Sequence, residues 1–352
     1  MNVWEINTRL SGISSDKNSL IIYVSQIFLA VVVGNRALNV GTDTFTYATL
    51  FEIIQNCQCL SGSQELGFEW FSLIISLTNF GTGFYFTCIS LVIFMMINLV
   101  ISKIVRIDKE EREFNDISLK VVIISAFLVS PFFVSAHINA IRQGLAAFFV
   151  FYALLSVLDN NWKGFIISGL IGVSIHSTSI IYLGLFPVLF LPFRVLIFLV
   201  TLLSIIYAFG AAEVVLQSVS DVFGLSLYDT VVNYRTDVYY RAGVRYDFLF
   251  FSWIGIVFAL LGRKFVGDNE SDTTLITLTK VYILLIIPFL LFGFANFSNR
   301  YAYTAWLFLS ILIPYTAHRM IFWKRLEKIL LPGLIFFSPG IFLLMVMNGF
   351  AR

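Results

Sequence analysis

The chain has few charged side chains for its length of 352 residues: 12% are Asp, Glu, Lys or Arg, while 59% are hydrophobic. A soluble domain carries about 25% charged residues, because it must surround its apolar core with polar groups. Lipid removes that requirement. The shortage of charge therefore excludes an ordinary soluble domain and indicates a membrane protein with several crossings.

Cysteine and histidine are also scarce, with three residues of each. Cys57 and Cys59 are too close in sequence for a relaxed bridge, so these two and Cys88 are interpreted as small apolar residues. No Cys/His set has zinc spacing, and neither a phosphate-binding glycine loop nor a nucleophile elbow is present. The basic residues form no face for nucleic acid. We therefore expect no metal, no other cofactor and no nucleic-acid partner.

Hydropathy predicts an all-α, polytopic integral membrane protein. Each crossing needs about 20 mostly apolar residues, and about eleven segments qualify as candidates: 20–34, 82–101, 118–137, 140–158, 164–176, 178–193, 195–212, 248–262, 281–297, 301–317 and 329–349. Residues 68–80 are too short to cross comfortably and are predicted to form an external half-helix. No cleavable signal or internal repeat stands out, so residues 1–352 are treated as one domain.

The lysines decide the predicted topology, because positive charge accumulates on the cytoplasmic side of a membrane. If the N-terminus is cytoplasmic and 164–193 crosses twice, every lysine lies on that side: Lys17, Lys103, Lys109, Lys120, Lys163, Lys264, Lys280, Lys324 and Lys328. A single crossing at 164–193, or a full crossing at 68–80, would export lysines. The external segments are then 35–81 and 213–247, together with the turn 137–142.

The basic residues that this topology places outside are all arginines: Arg36, Arg142, Arg235, Arg241, Arg245, Arg300 and Arg352. A guanidinium group binds phosphate bidentately and is more weakly hydrated than an ammonium group. An outward-facing site built from arginines therefore suits a phosphate or diphosphate at the level of the lipid headgroups. The alternative is that these side chains anchor helices at the interface, which is the interpretation we adopt for Arg352.

Three of these arginines stand beside polar residues at predicted helix starts. Asn139 is predicted to cap a helix whose first turn contains Arg142, where a cation is unfavourable unless an anion binds there too. Arg300 likewise opens an external helix. Arg36 precedes a turn that runs into an interfacial helix, and Thr42 or Asp43 would cap that helix. Asp43 is either this cap or a carboxylate that pairs with an arginine or acts on a sugar hydroxyl.

Two histidines, His176 and His137, lie on the predicted external side. The span that His176 ends has about 13 residues, or about 20 Å of a hydrocarbon layer near 30 Å thick. His176 should therefore lie slightly below the surface, beside Ser177 and Thr178. Ionisable groups at that depth are usually functional, and a neutral imidazole can accept a proton from a sugar hydroxyl. The alternative for both histidines is a packing role.

The external segment 213–247 alternates aromatic residues with arginine and aspartate. Aromatic rings stack on sugar faces, and charged groups bind hydroxyls or phosphate. The segment therefore suits saccharide binding, through Arg235, Tyr239, Arg241 and Arg245. An interfacial aromatic belt is the alternative interpretation.

Four motifs in order resemble the EpsG-like branch of the Wzy polysaccharide polymerases, from about Arg36 to Tyr303. They are an arginine before Val40-Gly-Thr-Asp-Thr-x-x-Tyr47, Glu65-x-Gly-Phe68, Ile141-Arg-Gln-x-Leu-Ala146 and His176-Ser-Thr-Ser179. The resemblance implies a GT-C-like multi-span enzyme of the bacterial inner membrane. Such an enzyme joins undecaprenyl-diphosphate-linked repeat units on the periplasmic face. Because no external cluster of carboxylates suggests a divalent cation, we expect the transfer to need no metal. Its expected partners are the lipid-linked oligosaccharide, membrane lipid, a chain-length regulator and a flippase.

On this basis we expect His176, Asp43 and Arg142 to be catalytic, with His176 or Asp43 as the base. The expected substrate-binding residues are Arg36, Tyr47, His137, Asn139, Gln143, Arg235, Tyr239, Arg241, Arg245, Asn299 and Arg300. Three other functions stay open: an O-antigen ligase, a lipid-linked oligosaccharide flippase or other transporter, and a multi-span glycosyltransferase that uses a monosaccharide phosphate lipid. Asp43, Glu52, Glu65 and Glu69 are the acidic residues that keep the last of these open.

Overall fold

The computed structural model describes residues 20–109, 116–224, 228, 243–266, 273–320 and 322–349. Within these ranges the only β pairing is an isolated bridge between Val266 and Met320, so the all-α class is confirmed. The helices are α1 Leu20–Gly34, α2 Thr44–Cys57, α3 Leu66–Ser76, α4 Thr82–Lys109, α5 Asp116–Leu128, α6 Pro131–Ile138, α7 Ile141–Leu158, α8 Trp162–Ile175, α9 Ser179–Gly184, a 3-10 helix Phe186–Phe190, α10 Phe193–Ala208, α11 Ala211–Phe223, α12 Tyr246–Gly262, α13 Thr273–Phe292, α14 Ser298–Arg319 and α15 Trp323–Met347.

Four of the described helices are long and apolar enough to cross a membrane: Thr82–Asp108, Ile141–Leu158, Thr273–Phe292 and Arg325–Met347. Two bent helix pairs raise the number to six if each pair is one span, and several shorter apolar helices accompany them. The apolar helices confirm a membrane protein. The predicted number of eleven crossings and the GT-C-like architecture stay predictions.

Two segments that were predicted as single spans are bent. Residues 118–137 form α5 and α6, which meet at 66°, and residues 195–212 run from α10 into α11 through a bend of 98°. Pro131 is the first residue of α6. Because proline has no N–H to donate and its ring clashes with the preceding turn, the helix is interrupted before Pro131.

The breaks near His176 follow the prediction more closely. Helix α8 ends at Ile175 and α9 begins at Ser179, so the polar His-Ser-Thr-Ser segment does separate two helices. The predicted span 178–193 is not one α-helix, because α9 ends at Gly184 and a 3-10 helix with Pro187 in its first turn follows. The predicted half-helix at 68–80 corresponds to α3, Leu66–Ser76.

The chain divides into two compact units. The first contains the described residues of Met1–Tyr152, Leu170–Ser177 and Leu326–Arg352, and the second those of Ala153–Gly169 and Thr178–Arg325. In the second unit, the Trp306 indole donates to Ser252 Oγ at 2.9 Å and Tyr282 Oη donates to the Ser252 carbonyl at 2.8 Å. That residues 1–352 form a single domain stays a prediction.

Aromatic packing in the first unit holds the short helices α2 and α3 against α4. The rings of Phe51 and Tyr85 stack with centroids 4.3 Å apart, and Tyr85 Oη lies 2.9 Å from Ser72 Oγ. Phe51, Phe68 and Tyr85 are fully buried. The packed core therefore fixes α2 and α3, which carry or adjoin the site residues Thr44, Tyr47 and Glu65.

The prediction for two of the cysteines is wrong, because Cys57 and Cys59 form a disulfide bond. Their Cα atoms are 5.2 Å apart, within the usual range for a disulfide. Gln58, between them, adopts a φ of 51°, and this turn at the end of α2 brings the two sulfur atoms together. Cys88 is a free thiol.

Candidate functional site

Glu65 lies directly before α3, and its two carboxylate oxygens bind different partners within the first unit. Oε1 lies 3.2 Å from His176 Nδ1 and accepts hydrogen bonds from the Ser177 N–H at 3.2 Å and the Ser177 hydroxyl at 3.3 Å. Oε2 accepts a hydrogen bond from Arg142 Nη1. One carboxylate thus joins Arg142 to His176, two residues that were predicted separately from distant parts of the sequence.

The charge state of Glu65 follows from these contacts. Burial is the largest single influence and raises the pKa of Glu65, but the His176 and Ser177 hydrogen bonds and the Arg142 charge together lower it to about 2. The carboxylate is therefore ionised at neutral pH and has no proton to donate. His176 must donate from Nδ1–H, so in the neutral imidazole Nε2 carries the lone pair.

The His176 ring is fixed at one nitrogen and accessible at the other. Its backbone N–H bonds the Gly172 carbonyl at 3.0 Å, which closes the last turn of α8. The side chain is 20% exposed, and within the described residues Nε2 is neither buried nor hydrogen-bonded. This geometry suits a general base, because a carboxylate orients the ring while the free nitrogen accepts a proton from a substrate hydroxyl.

The lowered pKa of Glu65 predicts how the stability of the protein depends on pH. A carboxylate whose folded pKa lies below its unfolded value contributes stability above the unfolded pKa, and that contribution is lost as the pH falls through the folded pKa. The window here runs from 4.5 down to about 2. We expect thermal unfolding of the detergent-solubilised protein to show a constant Tm difference between wild type and Glu65→Gln above the window. The difference should shrink within it, and a difference unaffected by acid would contradict the assigned charge state.

Arg142 is the second residue of α7, as predicted, and Tyr47 supports it. Its Nε donates to Tyr47 Oη at 2.9 Å, while Nη1 binds Glu65. Burial, as the largest influence, raises the pKa of Tyr47, so the phenol is neutral. The Tyr47 ring packs edge-on against Phe68 at 5.5 Å. Within the described residues Nη2 of Arg142 has no hydrogen-bond partner and is not buried, so it can bind an anion.

Asn139 connects the start of α2 to the turn before α7. It ends α6, and its Oδ1 accepts a hydrogen bond from the Thr42 N–H at 2.7 Å, a different role from the predicted helix cap. The close approach requires glycine at position 41, where φ is +87° and a Cβ would lie 2.3 Å from the Ile138 carbonyl oxygen. Gln143 is buried in the first turn of α7.

Arg36 binds the first turn of α2. Its Nη2 donates to Thr44 Oγ1 at 3.0 Å, and its guanidinium carbon lies 4.3 Å from the Phe86 ring centroid. Burial lowers the pKa of Arg36 to about 10, so it is still a cation at neutral pH. Thr44 and Tyr47 are one helical turn apart on one face of α2. That turn therefore receives both Arg36 and Arg142.

A second glutamate, Glu69, fixes the loop that leads into Glu65. It is 1% exposed, and its carboxylate accepts hydrogen bonds from the Gly62, Ser63 and Gln64 N–H groups at 2.8–2.9 Å. The Ser61 hydroxyl donates to it as well. Backbone bonds to a buried carboxylate leave the loop little freedom, so Glu69 positions Glu65. In the sequence this role has no signal beyond a carboxylate four residues after Glu65.

Close packing at Gly67 yields a second prediction. A Cβ at this position would lie 2.2 Å from Ser174 Oγ and 2.8 Å from the Ser174 carbonyl oxygen, so Gly67→Ala must push α3 away from the end of α8. Because Glu65 and His176 flank this contact, we expect a loss of activity of at least about tenfold with normal abundance in the membrane. Gly81→Ala is the control, since a Cβ there meets nothing within 4 Å. Equal activity of the two variants in a glycan-length assay would contradict the prediction.

The family of the chain is decided by its match to a family model. The model of the EpsG family matches residues 19–351. The chain belongs to the EpsG family. No curated protein and no solved structure matches it. The resemblance seen in the four sequence motifs is thus confirmed, and this EpsG-family chain is a membrane protein related to polysaccharide polymerases.

The four motifs converge in the first unit of this EpsG-family chain. The first motif supplies Thr44 and Tyr47, the second supplies Glu65 and Gly67, the third supplies Arg142, and the fourth supplies His176. Each motif contacts at least one other through a side chain at hydrogen-bond or van der Waals distance. Glu65 is the residue that sequence reasoning missed as a site residue, although it stands first in its motif.

His137 and Asp43 do not join this cluster. His137 is 2% exposed and packs against the rings of Phe94, Phe133 and Phe342 with centroids 4.5–5.6 Å away. Its Nδ1 lies 2.9 Å from the Phe133 carbonyl oxygen, and its Nε2 is buried without a partner in the described chain. This environment favours the packing interpretation.

Asp43 occupies the position before α2 but makes no side-chain cap there. Its Oδ1 accepts a hydrogen bond from the Thr42 hydroxyl at 3.1 Å. Among the described residues it pairs with no arginine, and Glu65 takes the role that was considered for it. Its assignment as an alternative base stays a prediction.

The remaining predicted residues lie in the second unit or outside the described residues. Arg245 binds Asp247 through two hydrogen bonds, of 2.9 and 2.6 Å, and lies 3.8 Å from the Phe248 ring centroid. Arg300 is in the first turn of α14, as predicted, 4.4 Å from the Phe297 ring centroid. Asn299 precedes it, with its Oδ1 buried. Arg235, Tyr239 and Arg241 lie outside the described residues.

Proposed function

We propose that this protein is a glycosyltransferase that polymerises undecaprenyl-diphosphate-linked oligosaccharide repeat units into O-antigen or exopolysaccharide on the periplasmic face of the inner membrane. The observation that carries the proposal is the Glu65 carboxylate, which binds His176 Nδ1 and Arg142 together. The arrangement supplies an oriented base beside a cation. Membership of the EpsG family and the apolar helices support the same function.

In the proposed reaction His176 acts on the acceptor. A hydroxyl on the distal sugar of one lipid-linked repeat unit loses its proton to Nε2, and its oxygen forms a bond to the anomeric carbon of the growing glycan. Glu65 stabilises the imidazolium that results, as a carboxylate does when it orients a catalytic histidine. The proton then passes to solvent, which restores the neutral ring.

The same step breaks the bond between the anomeric carbon and the lipid diphosphate. The diphosphate leaves with the bonding electron pair, so negative charge grows on its oxygens. Fixed donors in a partly dry site stabilise such charge strongly. Arg142 Nη2 and the Arg36 guanidinium are the cations we assign to this role in the first unit. Both are held by the first turn of α2 before substrate arrives.

Deletion of the gene in its host tests the reaction class. A polymerase deletion should remove long surface glycans while single repeat units remain attached to the lipopolysaccharide core or the lipid carrier. If even single units failed to reach the core while long lipid-linked chains accumulated, the protein would be a ligase. Accumulation of lipid-linked units on the cytoplasmic side would indicate a flippase. Gel profiles of surface and lipid-linked glycans distinguish the first two outcomes, and the accessibility of lipid-linked units to a glycosidase added outside spheroplasts identifies the third.

Cysteine labelling tests the orientation of the site. In a background with Cys57, Cys59 and Cys88 replaced by serine, a single cysteine at the exposed position Ser177 should react with a membrane-impermeant maleimide added to intact spheroplasts. Lys163→Cys, predicted to be cytoplasmic, is the control and should react only after lysis. Labelling of position 177 only after lysis would contradict a periplasmic site.

A further inference from the structure

Two cavities lie along helices α1 and α15 within the first unit. The first has a volume of about 270 Å³, lies between α1, α5 and α15, and has mainly apolar walls. Its lining residues include Ile21, Leu29, Val121, Leu331 and Ile335. The second has a volume of about 480 Å³ and lies where α1 and α15 end. Much of its wall is apolar, through residues such as Val346 and Met347, but four polar side chains also line it, and we therefore call it the polar cavity: Asn35, Arg36, Asn39 and Asn348.

The cavities succeed one another in the same order along both helices. On α1 and the turn after it, the apolar cavity contacts residues around 25 and the polar cavity residues around 36. On α15 the corresponding positions are around 335 and 346. Both separations amount to about 16 Å at 1.5 Å per residue. An apolar cavity followed at this distance by one that contains a cation and three amide side chains matches an amphiphile with a hydrocarbon chain and an anionic headgroup.

The charge of Arg36 indicates what the headgroup should carry. Its two Nη groups donate to uncharged acceptors, the Val33 carbonyl at 2.9 Å and the Thr44 hydroxyl at 3.0 Å. Its Nε is buried with no acceptor among the described residues, and no described carboxylate pairs with it. A largely buried cation without a counter-ion is costly. An anion in the polar cavity would neutralise it, whereas Arg142 already has Glu65.

We propose that the two cavities bind the lipid anchor of a polyisoprenyl diphosphate, with the diphosphate beside Arg36 and the hydrocarbon chain between α1 and α15. The assignment rests on the proposed function, because it locates the lipid part of the same substrate. Arg36 binds Thr44 and Arg142 binds Tyr47, one turn further along α2. Arg36 and Arg142 are the two cations that the proposed reaction assigns to the diphosphate, which favours this lipid over a phospholipid with one phosphate.

Photocrosslinking of the full-length protein in lipid nanodiscs tests the location. The probe is a sugar-free polyisoprenyl diphosphate with a photoreactive group in its chain, and mass spectrometry identifies the labelled peptides. We expect labels in 21–29 and 331–339. Arg36→Gln should lower labelling about tenfold, the effect of losing one charge-assisted contact worth about 1.4 kcal/mol. Ile335→Trp should block the apolar cavity, whereas Phe336→Trp, at a 78% exposed neighbouring position, should not.

Competition identifies the ligand. Unlabelled polyisoprenyl diphosphate should displace the probe, and phosphatidylglycerol or inorganic pyrophosphate at the same concentration should not. Equal displacement by phosphatidylglycerol would overturn the proposal, because the cavities would then bind membrane lipids without selectivity. Equal displacement by pyrophosphate would leave only an anion site. Labels elsewhere, or labels unaffected by Ile335→Trp, would also overturn it. Since the probe carries no sugar, binding could fail while polymerisation is retained, or the reverse.

Discussion

Replacing His176 by alanine is expected to lower the rate of glycan polymerisation by about 10²–10⁴-fold, the usual contribution of a general base. His176→Asn should be nearly as inactive. Its carboxamide nitrogen can replace Nδ1 toward Glu65, but it has no basic lone pair at the position of Nε2. The measurement is the rate of chain extension on purified lipid-linked repeat units, with abundance checked in the membrane fraction.

His137→Phe is the matched control for this prediction. His137 belongs to the same unit but lies among Phe94, Phe133 and Phe342, so phenylalanine fits its surroundings and should leave the extension rate within about threefold of wild type. An active His176→Asn protein would show that the ring acts only by holding Glu65. A fully inactive His137→Phe protein of normal abundance would indicate that His137, among the aromatic rings, is the base.

Replacing Glu65 by glutamine is expected to lower the extension rate by about 10³–10⁴-fold, as happens when a carboxylate that orients a catalytic histidine becomes an amide. Two causes act together. The amide can present its NH₂ group to His176, which favours the wrong tautomer, and it removes the counter-charge of Arg142. Because the group keeps its size, the loss should appear without a large change in abundance.

Glu52→Gln provides the control of the same chemistry. Glu52 is exposed on α2, within the same predicted external segment, and its replacement should leave extension unchanged. A further comparison is Glu65→Asp, which retains the charge but shortens the reach by one methylene and should recover part of the activity. Full activity of Glu65→Gln would mean that the contact with His176 has no part in the reaction.

Hydropathy could predict the all-α class and the apolar helices, because crossing helices need long apolar runs. The eleven crossings and the side on which the lysines lie stay predictions. The half-helix at 66–76 and the break after α8 were found from short apolar length and from polar residues. The bends could not be located as easily. At Pro131 the signal was present in the sequence, yet the apolar run continued through it, and hydropathy alone does not register an interrupted helix.

Arg142 and His176 could be predicted as residues of the candidate site, but Glu65, which joins them, could not. Arg142 and His176 stand out because cations and imidazoles are unusual near membrane depth. Glu65 precedes a short helix in a segment predicted to be external. A carboxylate there has no desolvation cost, so the residue type alone did not indicate a functional site. Its partner His176 is 111 residues away, and one sequence carries no information on that contact. The choice of Asp43 over Glu65 followed from that gap.

The two histidines also show that residue type alone does not separate a site residue from a packing residue. Both histidines were predicted to belong to the site, His176 as the base and His137 as a substrate-binding residue, and the structure separates them: His137 lies among aromatic rings and His176 beside a carboxylate. The cysteine prediction failed because sequence distance was taken as the geometric obstacle, whereas the left-handed residue Gln58 removes it. Local backbone conformation of this kind is decided by the fold around it.

The most direct test of the account compares the extension rates of His176→Ala, Glu65→Gln and the double variant in one assay at equal abundance. If the carboxylate acts by orienting the histidine, removing both groups should cost about as much as removing the more important one, since residues that act as a unit are non-additive. A double variant within about threefold of the slower single variant is the predicted result. Losses that multiply would show two independent groups and contradict the account.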